Sequence, residues 1–295
     1  MKTIKQLVLA VSLAACAGVV PAQQPQPQVV QDGIQVRPMS KLRVLASEQQ
    51  MESQSKQQYT AMLAQANQKG ALVPSNDPQV VRLRTIAKRM IPYTVRWNPA
   101  AAKWEWQVNL IASDQINAFC MPGGRIGFFS AILTQLKLTD DEAAAIMGHE
   151  IAHALREHGR AQTGKTAVTS VAARLTGAAV AAYFGIDPRV TDTVAQYGTQ
   201  ALALKYSRDD EREADLIGLD IAARAGFDPR AGVVLWQKMA ALNKRAPPEF
   251  LSTHPGGEGR IAQMNAHMNV LLPLYAKARG TTLQSLPPYR TVAMK

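Results

Sequence analysis

The chain has 295 residues, of which 47% are hydrophobic and 19% are charged, and its formal net charge is +11. This composition is typical of a globular protein, and two cysteines are too few for a disulfide scaffold. The basic residues are scattered and accompany no nucleic-acid-binding motif, so we expect no nucleic-acid partner.

The N-terminus has the pattern of a bacterial secretory signal, because two lysines precede an apolar stretch that is too short to span a bilayer. A lipobox at residues 13–16 predicts a signal peptide over 1–15, with Cys16 as the lipidated first residue of the mature protein. Ordinary cleavage after Ala22 is the alternative. Both interpretations predict export to the periplasm, and the lipobox also predicts a lipid anchor in the outer membrane.

The segments that follow differ in composition. Residues 16–38 are rich in Gln and Pro, which predicts a flexible tether. Residues 39–74 are polar and compatible with helix, so they are predicted to form an N-terminal helical region. A larger domain over 75–280 and a C-terminal tail over 281–295 complete the predicted organisation.

The large domain begins with an amphipathic helix predicted over 77–90. Alternating aromatic and polar residues over 104–111 predict a half-buried strand, and a turn at 122–124 precedes a second strand over 125–129. Beyond residue 139 the sequence is almost entirely helical. These elements predict an α+β fold that is mainly helical, with a small β-sheet before the packed helices.

One apolar helix carries the chemistry. A capping box predicts that it starts after Thr139, and the polar residues within its apolar stretch are His149, Glu150 and His153. Burying three ionisable groups is costly unless each has a partner, and a metal ion is the natural one. The two histidines share one helix face, whereas Glu150 points about 100° away and can reach a water molecule on the metal. This is the HExxH arrangement of zinc hydrolases.

A catalytic zinc ion usually has three protein ligands, so the third is sought on another helix. A helix predicted over 207–225 places Glu211 and Asp215 on one face, whereas Glu213 points the opposite way, towards solvent. On this interpretation Glu211 binds zinc and Asp215 accepts the free N–H of a ligand histidine. The alternative is that these acidic residues only stabilise the first turn of the helix.

Several other residues have separate predictions. His254 lies in a loop bounded by Pro and Gly, and it is predicted either to donate to the oxyanion or to occupy the open position of the metal. Arg260 is predicted to anchor this loop. His158 is predicted to have a structural role at a helix end. The apolar segment 167–184 is predicted to be a packing helix or a lid over the active site.

Four motifs in this order resemble the HtpX and CAAX-prenyl-protease family of gluzincin zinc metalloendopeptidases. They are His-Glu-Ile-Ala-His at 149–153, Ser-Arg-x-x-Glu-x-Glu-Ala-Asp at 207–215, Asn-Ala-Phe with Pro-Gly-Gly within 117–124, and Thr-His-Pro with a downstream arginine at 253–260. Because the chain shows no spanning helices, it resembles a short exported branch of this family in which the catalytic domain stands alone on a lipid anchor.

The resemblance implies a zincin-type metallopeptidase domain with one Zn²⁺ per chain, held by His149, His153 and Glu211. It also implies metal-assisted peptide hydrolysis in which Glu150 is the general base and His254 a further catalytic residue. The implied substrates are unfolded or misassembled envelope polypeptides. A zinc-stabilised, chaperone-like module that assists outer-membrane protein assembly is the alternative function.

Substrate is expected to bind as an added strand, because main-chain hydrogen bonds accept many different sequences. The edge predicted to receive it is the second strand of the sheet. Its residues are Ile126, Gly127, Phe128 and Phe129.

Overall fold

The computed structural model describes residues 32–169, 206–243, 250–251, 254 and 258–294. The α-helices in these ranges are α1 (Glu48–Gln68), α2 (Pro78–Met90), α3 (Ser130–Gln135), α4 (Asp140–Leu155), α5 (158–169), α6 (Arg208–Arg224), α7 (Arg230–Asn243), α8 (Glu258–Ala266) and α9 (Met268–Ala278). The strands are β1 (Gln107–Ile111), β2 (Ala118–Met121) and β3 (Arg125–Phe129). Short 3-10 helices cover Lys41–Leu45, Ile91–Arg96, Pro99–Lys103 and Leu283–Ser285.

These elements confirm the predicted α+β, mainly helical fold with one small sheet before the active-site helix. The predicted signal peptide, the lipobox and most of the apolar segment 167–184 lie outside the described residues. None of the described helices combines the length and the apolar character that crossing a bilayer requires.

The three strands form one sheet in the order β1-β3-β2. β3 is parallel to β1 and antiparallel to β2, so that Ile126 is paired with Val108 on one side and with Cys120 on the other. The prediction that substrate adds to the edge of residues 126–129 is therefore wrong, because both edges of β3 are already occupied. Of the two outer strands, β2 is the one that contacts α4.

The packing of α4 against α6 positions the site. The two helices cross where Gly148 meets Gly218, and a Cβ atom on Gly148 would lie 2.5 Å from the carbonyl oxygen of Gly218. A Cβ atom on Gly218 would lie equally close to the backbone of Gly148. Glycine is required at both positions because no side chain fits between the backbones. This crossing brings the turn at 149–153 next to the turn at 211–215.

Both ends of the described chain pack against the catalytic helices. Ile34 is buried, and its N–H donates to Asp220 of α6 at 3.1 Å. Ile34, which lies within the flexible tether predicted over 16–38, is therefore docked on α6. The predicted tail over 281–295 is also packed, since it contacts Glu142 in the first turn of α4.

Candidate functional site

The helix α4 begins as its sequence predicts. The Thr139 hydroxyl accepts from the N–H of Glu142 at 3.2 Å, and the Glu142 carboxylate accepts from the N–H of Thr139 at 3.0 Å. Lys238 of α7 donates to the same carboxylate at 2.7 Å, which neutralises its charge in the interior. This fixed start sets the phase of α4, so that His149 and His153 face α6.

The helix α6 also begins with a capping box, in which Ser207 and Asp210 bond each other's backbone N–H. Its first turns place Glu211 and Asp215 on the face that meets α4, and both carboxylates are buried. The predicted helix phase therefore brings these two side chains to the two histidines.

Four buried side chains converge on one point: His149, His153, Glu211 and His254. Nε2 of His149 lies 3.1 Å from Nε2 of His153 and 3.5 Å from Oε2 of Glu211. Nε2 of His153 lies 3.4 Å from Oε1 of Glu211. Nδ1 of His254 lies 3.1 Å from Nε2 of His149 and 3.0 Å from Oε1 of Glu211. The loop residue His254 is thus part of the same cluster.

This cluster fits zinc. Tetrahedral ligands with zinc bonds of about 2.0–2.1 Å lie about 3.3 Å from one another, and the separations here are close to that value. Two imidazole nitrogens whose lone pairs face each other at 3.1 Å do not form a good hydrogen-bonded pair, but they are typical of two ligands of one ion. Imidazole and carboxylate donors suit Zn²⁺, and one ion satisfies them all.

The ligand His149 is oriented through its second nitrogen. Its Nδ1 lies 3.0 Å from Oδ1 of Asp215, the carboxylate predicted to hold it. Arg260 donates two hydrogen bonds to Asp215, each 2.6 Å long, and its Nη1 lies 2.7 Å from Oε2 of Glu211. Arg260 also lies over the ring of Trp236 at 3.6 Å. Arg260 thus bonds one acidic residue of the cluster and the acidic residue beside it, and its role in anchoring the loop stays a prediction.

The electrostatics of the cluster suit a cation. Burial opposes ionisation of Glu211, but hydrogen bonds from His149, His153 and His254 hold its pKa well below the usual range. Burial lowers the pKa of His149, yet Asp215 and Glu211 outweigh it and raise the value to about 9. Carboxylates that stabilise a positive charge on His149 in this way also stabilise a divalent cation bound at the same place.

Glu150 lies beside the cluster without belonging to it. Its Oε1 atom is buried and has no hydrogen-bond partner among the described residues; Nε2 of His254 is 3.6 Å away. Burial raises the pKa of Glu150, while the imidazoles of His254 and His149 oppose the rise. A buried carboxylate oxygen that is left free and points into a cleft suits a general base awaiting a water molecule.

Glu213 differs from its prediction, and His158, predicted to be structural, lies next to the cluster. Glu213 was expected in solvent, but it is buried and accepts hydrogen bonds from Arg156 and Arg37. It is buried because the N-terminal segment covers this side of α6. His158 is also buried, and its Nδ1 lies 2.9 Å from Nδ1 of His153, so it contacts a residue of the cluster. Only the spacing of five residues after His153 hints at this contact in the sequence.

A cleft opens in front of the cluster, between α1, α4 and β2. Glu150 and His153 form its floor, and residues 117–123 form one wall. Tyr206 lines it as well, and its ring stacks on His153 with centroids 3.9 Å apart. Cys120 of β2 also faces this cleft, where burial and the Glu150 carboxylate raise the pKa of its thiol.

Sequence reasoning did not find Tyr206. It stands next to Ser207, the first residue of the Ser-Arg motif, and this position is the signal that would have pointed to it.

The outer edge of β2 has no strand partner among the described residues. Asn117 accepts from Phe129 of β3 at 3.1 Å, so by alternation Phe119 and Met121 also bond β3. The backbone groups of Cys120 therefore point away from the sheet, and no described residue pairs with them as a further strand. The cleft thus combines a cluster of metal-binding side chains, the carboxylate of Glu150 and a strand edge.

Comparison with known proteins agrees with this geometry. The sequence model of peptidase family M48 matches residues 79–268. The chain is 33% identical over 178 residues to the mitochondrial metalloendopeptidase OMA1 of Arabidopsis thaliana, covering 59% of this chain and 34% of that protein. It is 31% identical over 227 residues to the mitochondrial metalloendopeptidase OMA1 of Bos taurus, covering 72% and 41%.

A bacterial protein is similar to a comparable extent. The chain is 29% identical over 214 residues to the beta-barrel assembly-enhancing protease of Escherichia coli (strain K12), covering 69% of this chain and 42% of that protein. This chain therefore spans between 34% and 42% of the length of these three relatives. Residues 79–268, which the family model matches, contain the helices α4 and α6 and all four residues of the cluster.

Proposed function

Because this chain belongs to peptidase family M48 and residues 79–268 form its zinc metallopeptidase domain, we propose that the protein is an endopeptidase of the bacterial cell envelope. Its substrates are unfolded or misassembled envelope polypeptides. One observation carries the proposal: a buried cluster that fits zinc lies beside the free carboxylate of Glu150, in a cleft walled by a strand edge. The motifs also support a place in the short exported branch that resembles HtpX and the CAAX prenyl proteases.

Each residue of the cluster has a role in this proposal. His149, His153 and Glu211 hold the metal, and Asp215 fixes the orientation of His149. Bound zinc supplies a Lewis acid that polarises the scissile carbonyl and acidifies a water molecule. Glu150 takes the proton of the attacking water and passes it to the leaving amine. Its free oxygen and its raised pKa support both steps.

His254 holds the site idle in this proposal. Its Nδ1 atom stands among the other donors at 3.0–3.1 Å, where a fourth ligand of a tetrahedral ion belongs. With His254 as a fourth ligand, a bound metal would keep no position for water, and cleavage would require His254 to move away. Of the two predicted roles, the geometry supports the cap over the oxyanion donor.

The edge of β2 binds substrate in place of the edge first predicted on β3. An extended peptide that pairs with Cys120 lies along the cleft and passes Glu150. Main-chain pairing needs a segment whose own backbone groups are unpaired. Folded proteins offer few such segments, and unfolded or misassembled ones offer many.

The envelope location rests on the N-terminal signal pattern. The name of the Escherichia coli relative, which refers to beta-barrel assembly, supports it. The lipobox supports a lipid anchor at Cys16. Cys16→Ser is therefore expected to move the protein from the membrane to the soluble envelope fraction, as measured by fractionation and immunoblotting. A wild-type mature N-terminus at Gln23 without lipid contradicts the anchor.

The test of the activity is cleavage of unfolded casein by the wild type and by Glu150→Gln. The proposal predicts cleavage by the wild type and loss of cleavage in the variant, with one zinc ion per chain in both. If neither protein cleaves casein and both suppress aggregation equally, the result supports the alternative, a zinc-stabilised module that assists outer-membrane protein assembly. The fourth ligand His254 is the observation that favours this alternative, because it closes the metal to substrate.

A further inference from the structure

The two ligand histidines are oriented in different ways. His149 contacts a carboxylate directly, through Asp215. His153 instead contacts another histidine, with the Nδ1 atoms of His153 and His158 2.9 Å apart. Because His153 meets the metal cluster through Nε2, its proton must reside on Nδ1 and be donated to His158. Nδ1 of His158 is then the acceptor, and the proton of His158 resides on its Nε2.

That second proton faces acidic residues of α6. Nε2 of His158 lies 3.8 Å from Oε1 of Glu213 and 3.8 Å from Oδ1 of Asp210. Arg156 and Arg37 both donate to the buried Glu213 carboxylate, and these two guanidinium groups stabilise its negative charge. The negative charge behind His158 favours the tautomer that accepts from His153.

The N-terminal segment completes the arrangement. Nε of Arg37 donates to Oε2 of Glu213 at 2.8 Å, and Arg156 donates to Oε1 of Glu213 and to the carbonyl oxygen of Arg37. Arg37 follows the buried Ile34 by three residues, so the contact is part of a docked segment. A residue 176 positions from Glu213 in the chain thus holds the carboxylate that faces His158.

We propose that His158 and Glu213 form a relay that positions the ligand His153, and that Arg37 of the N-terminal segment fastens this relay. His158 and Glu213 are positioning residues, because they act on the metal through His153. An imidazole is a weaker hydrogen-bond acceptor than a carboxylate, so the orientation of His153 depends on the acidic residues that face His158. The segment at residues 33–37, although remote from the cleft, therefore contributes to zinc affinity.

The experiment measures zinc affinity by competition with a chromophoric chelator. His158→Phe keeps a ring of similar size and removes both nitrogens, and it is expected to weaken zinc binding about 10–100-fold. His267→Phe is the matched control, because His267 is half-buried in the turn between α8 and α9 and its side chain contacts the carbonyl oxygen of Gln263, not a metal ligand. The absorption spectrum of the Co²⁺-substituted protein should change in His158→Phe and not in the control, since the spectrum reports the ligand field.

A double-mutant cycle tests the relay itself. Glu213→Gln and Arg37→Gln are each expected to weaken zinc binding about 3–10-fold in the wild type, and to have no further effect when combined with His158→Phe. Additive effects in the cycle overturn the relay, as do unchanged affinity and an unchanged cobalt spectrum in His158→Phe. If His158→Phe does not fold, the Arg37→Gln and Glu213→Gln variants and their combination still decide the matter.

This inference rests on the zinc site of the proposed function, so the wild type is titrated first. A wild type that binds no zinc contradicts the site, whereas tight binding by both the wild type and His158→Phe contradicts only the relay.

Discussion

At the scale of single residues, we propose that His254 caps the metal and so controls its access to water. As a cap it competes with water and substrate, so His254→Ala should raise the rate of casein cleavage. The increase should be about the inverse of the uncapped fraction, and zinc affinity should fall somewhat. The measurement is the cleavage rate at saturating zinc, with zinc affinity determined in parallel.

The opposite outcome identifies the other role of His254. Removing a donor to the oxyanion costs about 100–1000-fold in rate, with the metal retained. A His254→Ala protein that is nearly inactive and still binds zinc tightly therefore contradicts the cap. Unchanged activity together with unchanged zinc affinity contradicts both roles.

The pair of Asp215 and Glu211 gives a second prediction at this scale. Asp215→Asn keeps the shape of the side chain but loses the charge that holds His149 and Arg260, so zinc affinity should fall about 10–100-fold. Glu211→Ala removes a ligand and should cost more. Zinc titrations of the two variants check the order, and a smaller loss in Glu211→Ala than in Asp215→Asn contradicts the ligand assignment.

Sequence reasoning reached the helical residues of the cluster because helical periodicity is local, whereas His254 was found from its Pro- and Gly-bounded loop and the family motif around it. The spacing of four residues places His149 beside His153, and the same spacing places Glu211 beside Asp215. The burial of Glu213 could not be predicted in this way, because helix phase shows which way a side chain points but not what covers that side. The cover is Arg37, which is remote in the chain.

At the scale of helices and strands, the crossing of α4 and α6 fixes the distance between the zinc ligands. Gly148→Ala places a methyl group against backbone that cannot rotate away, so the free energy of unfolding should fall by about 1–3 kcal/mol and zinc affinity should fall with it. Thermal unfolding and zinc titration measure the two effects.

Gly259→Ala in α8 is the control for this substitution, because no described residue lies within 4 Å of a Cβ atom there. Replacing a helical glycine by alanine at an open site is expected to leave stability unchanged or to raise it by up to about 1 kcal/mol. Equal effects at positions 148 and 259 contradict the importance of the crossing.

The edge of β2 gives a prediction that separates substrate binding from metal binding. Cys120→Pro removes the N–H that points into the cleft, and proline is tolerated where an edge N–H faces solvent. The KM for a peptide substrate should rise about tenfold, as expected for the loss of one or two main-chain hydrogen bonds. Cys120→Ala keeps the N–H and serves as the control, with zinc content measured in both; equal KM values in the two variants contradict binding at this edge.

Helix ends were easier to predict than strand order. The predicted helix over 77–90 is observed at Pro78–Met90, and Asp77 caps it as the sequence indicates. Capping residues lie next to the ends they define, whereas strand neighbours are set by contacts across the chain. Residues 126–129 do carry a signal, because they are apolar without alternation, a pattern that is typical of a central strand buried on both faces.

At the scale of the whole molecule, the metal joins parts of the chain that are far apart. His149 and His254 are separated by 105 positions, so bound zinc restrains a long loop. Removing zinc with a chelator should lower stability by about 4 kcal/mol when free zinc had been 1,000 times the dissociation constant. Thermal unfolding with and without chelator measures this, and Glu211→Ala should show a much smaller difference; equal differences contradict stabilisation through the cluster.

If substrate pairs with the edge of β2, as we propose, this edge also determines which property of a protein the enzyme responds to. A polypeptide can pair with this edge only during the time in which the corresponding segment is open. When opening and closing are fast relative to cleavage, the cleavage rate follows the open population, and therefore the opening free energy of that segment. A destabilisation of 1.4 kcal/mol then makes a protein about ten times more susceptible, whatever its sequence. Whether a protein is cut then depends on two times: the lifetime of its open segment and the time that cleavage needs. A protein that folds correctly keeps its segments closed for most of the time, whereas one that stalls in folding does not.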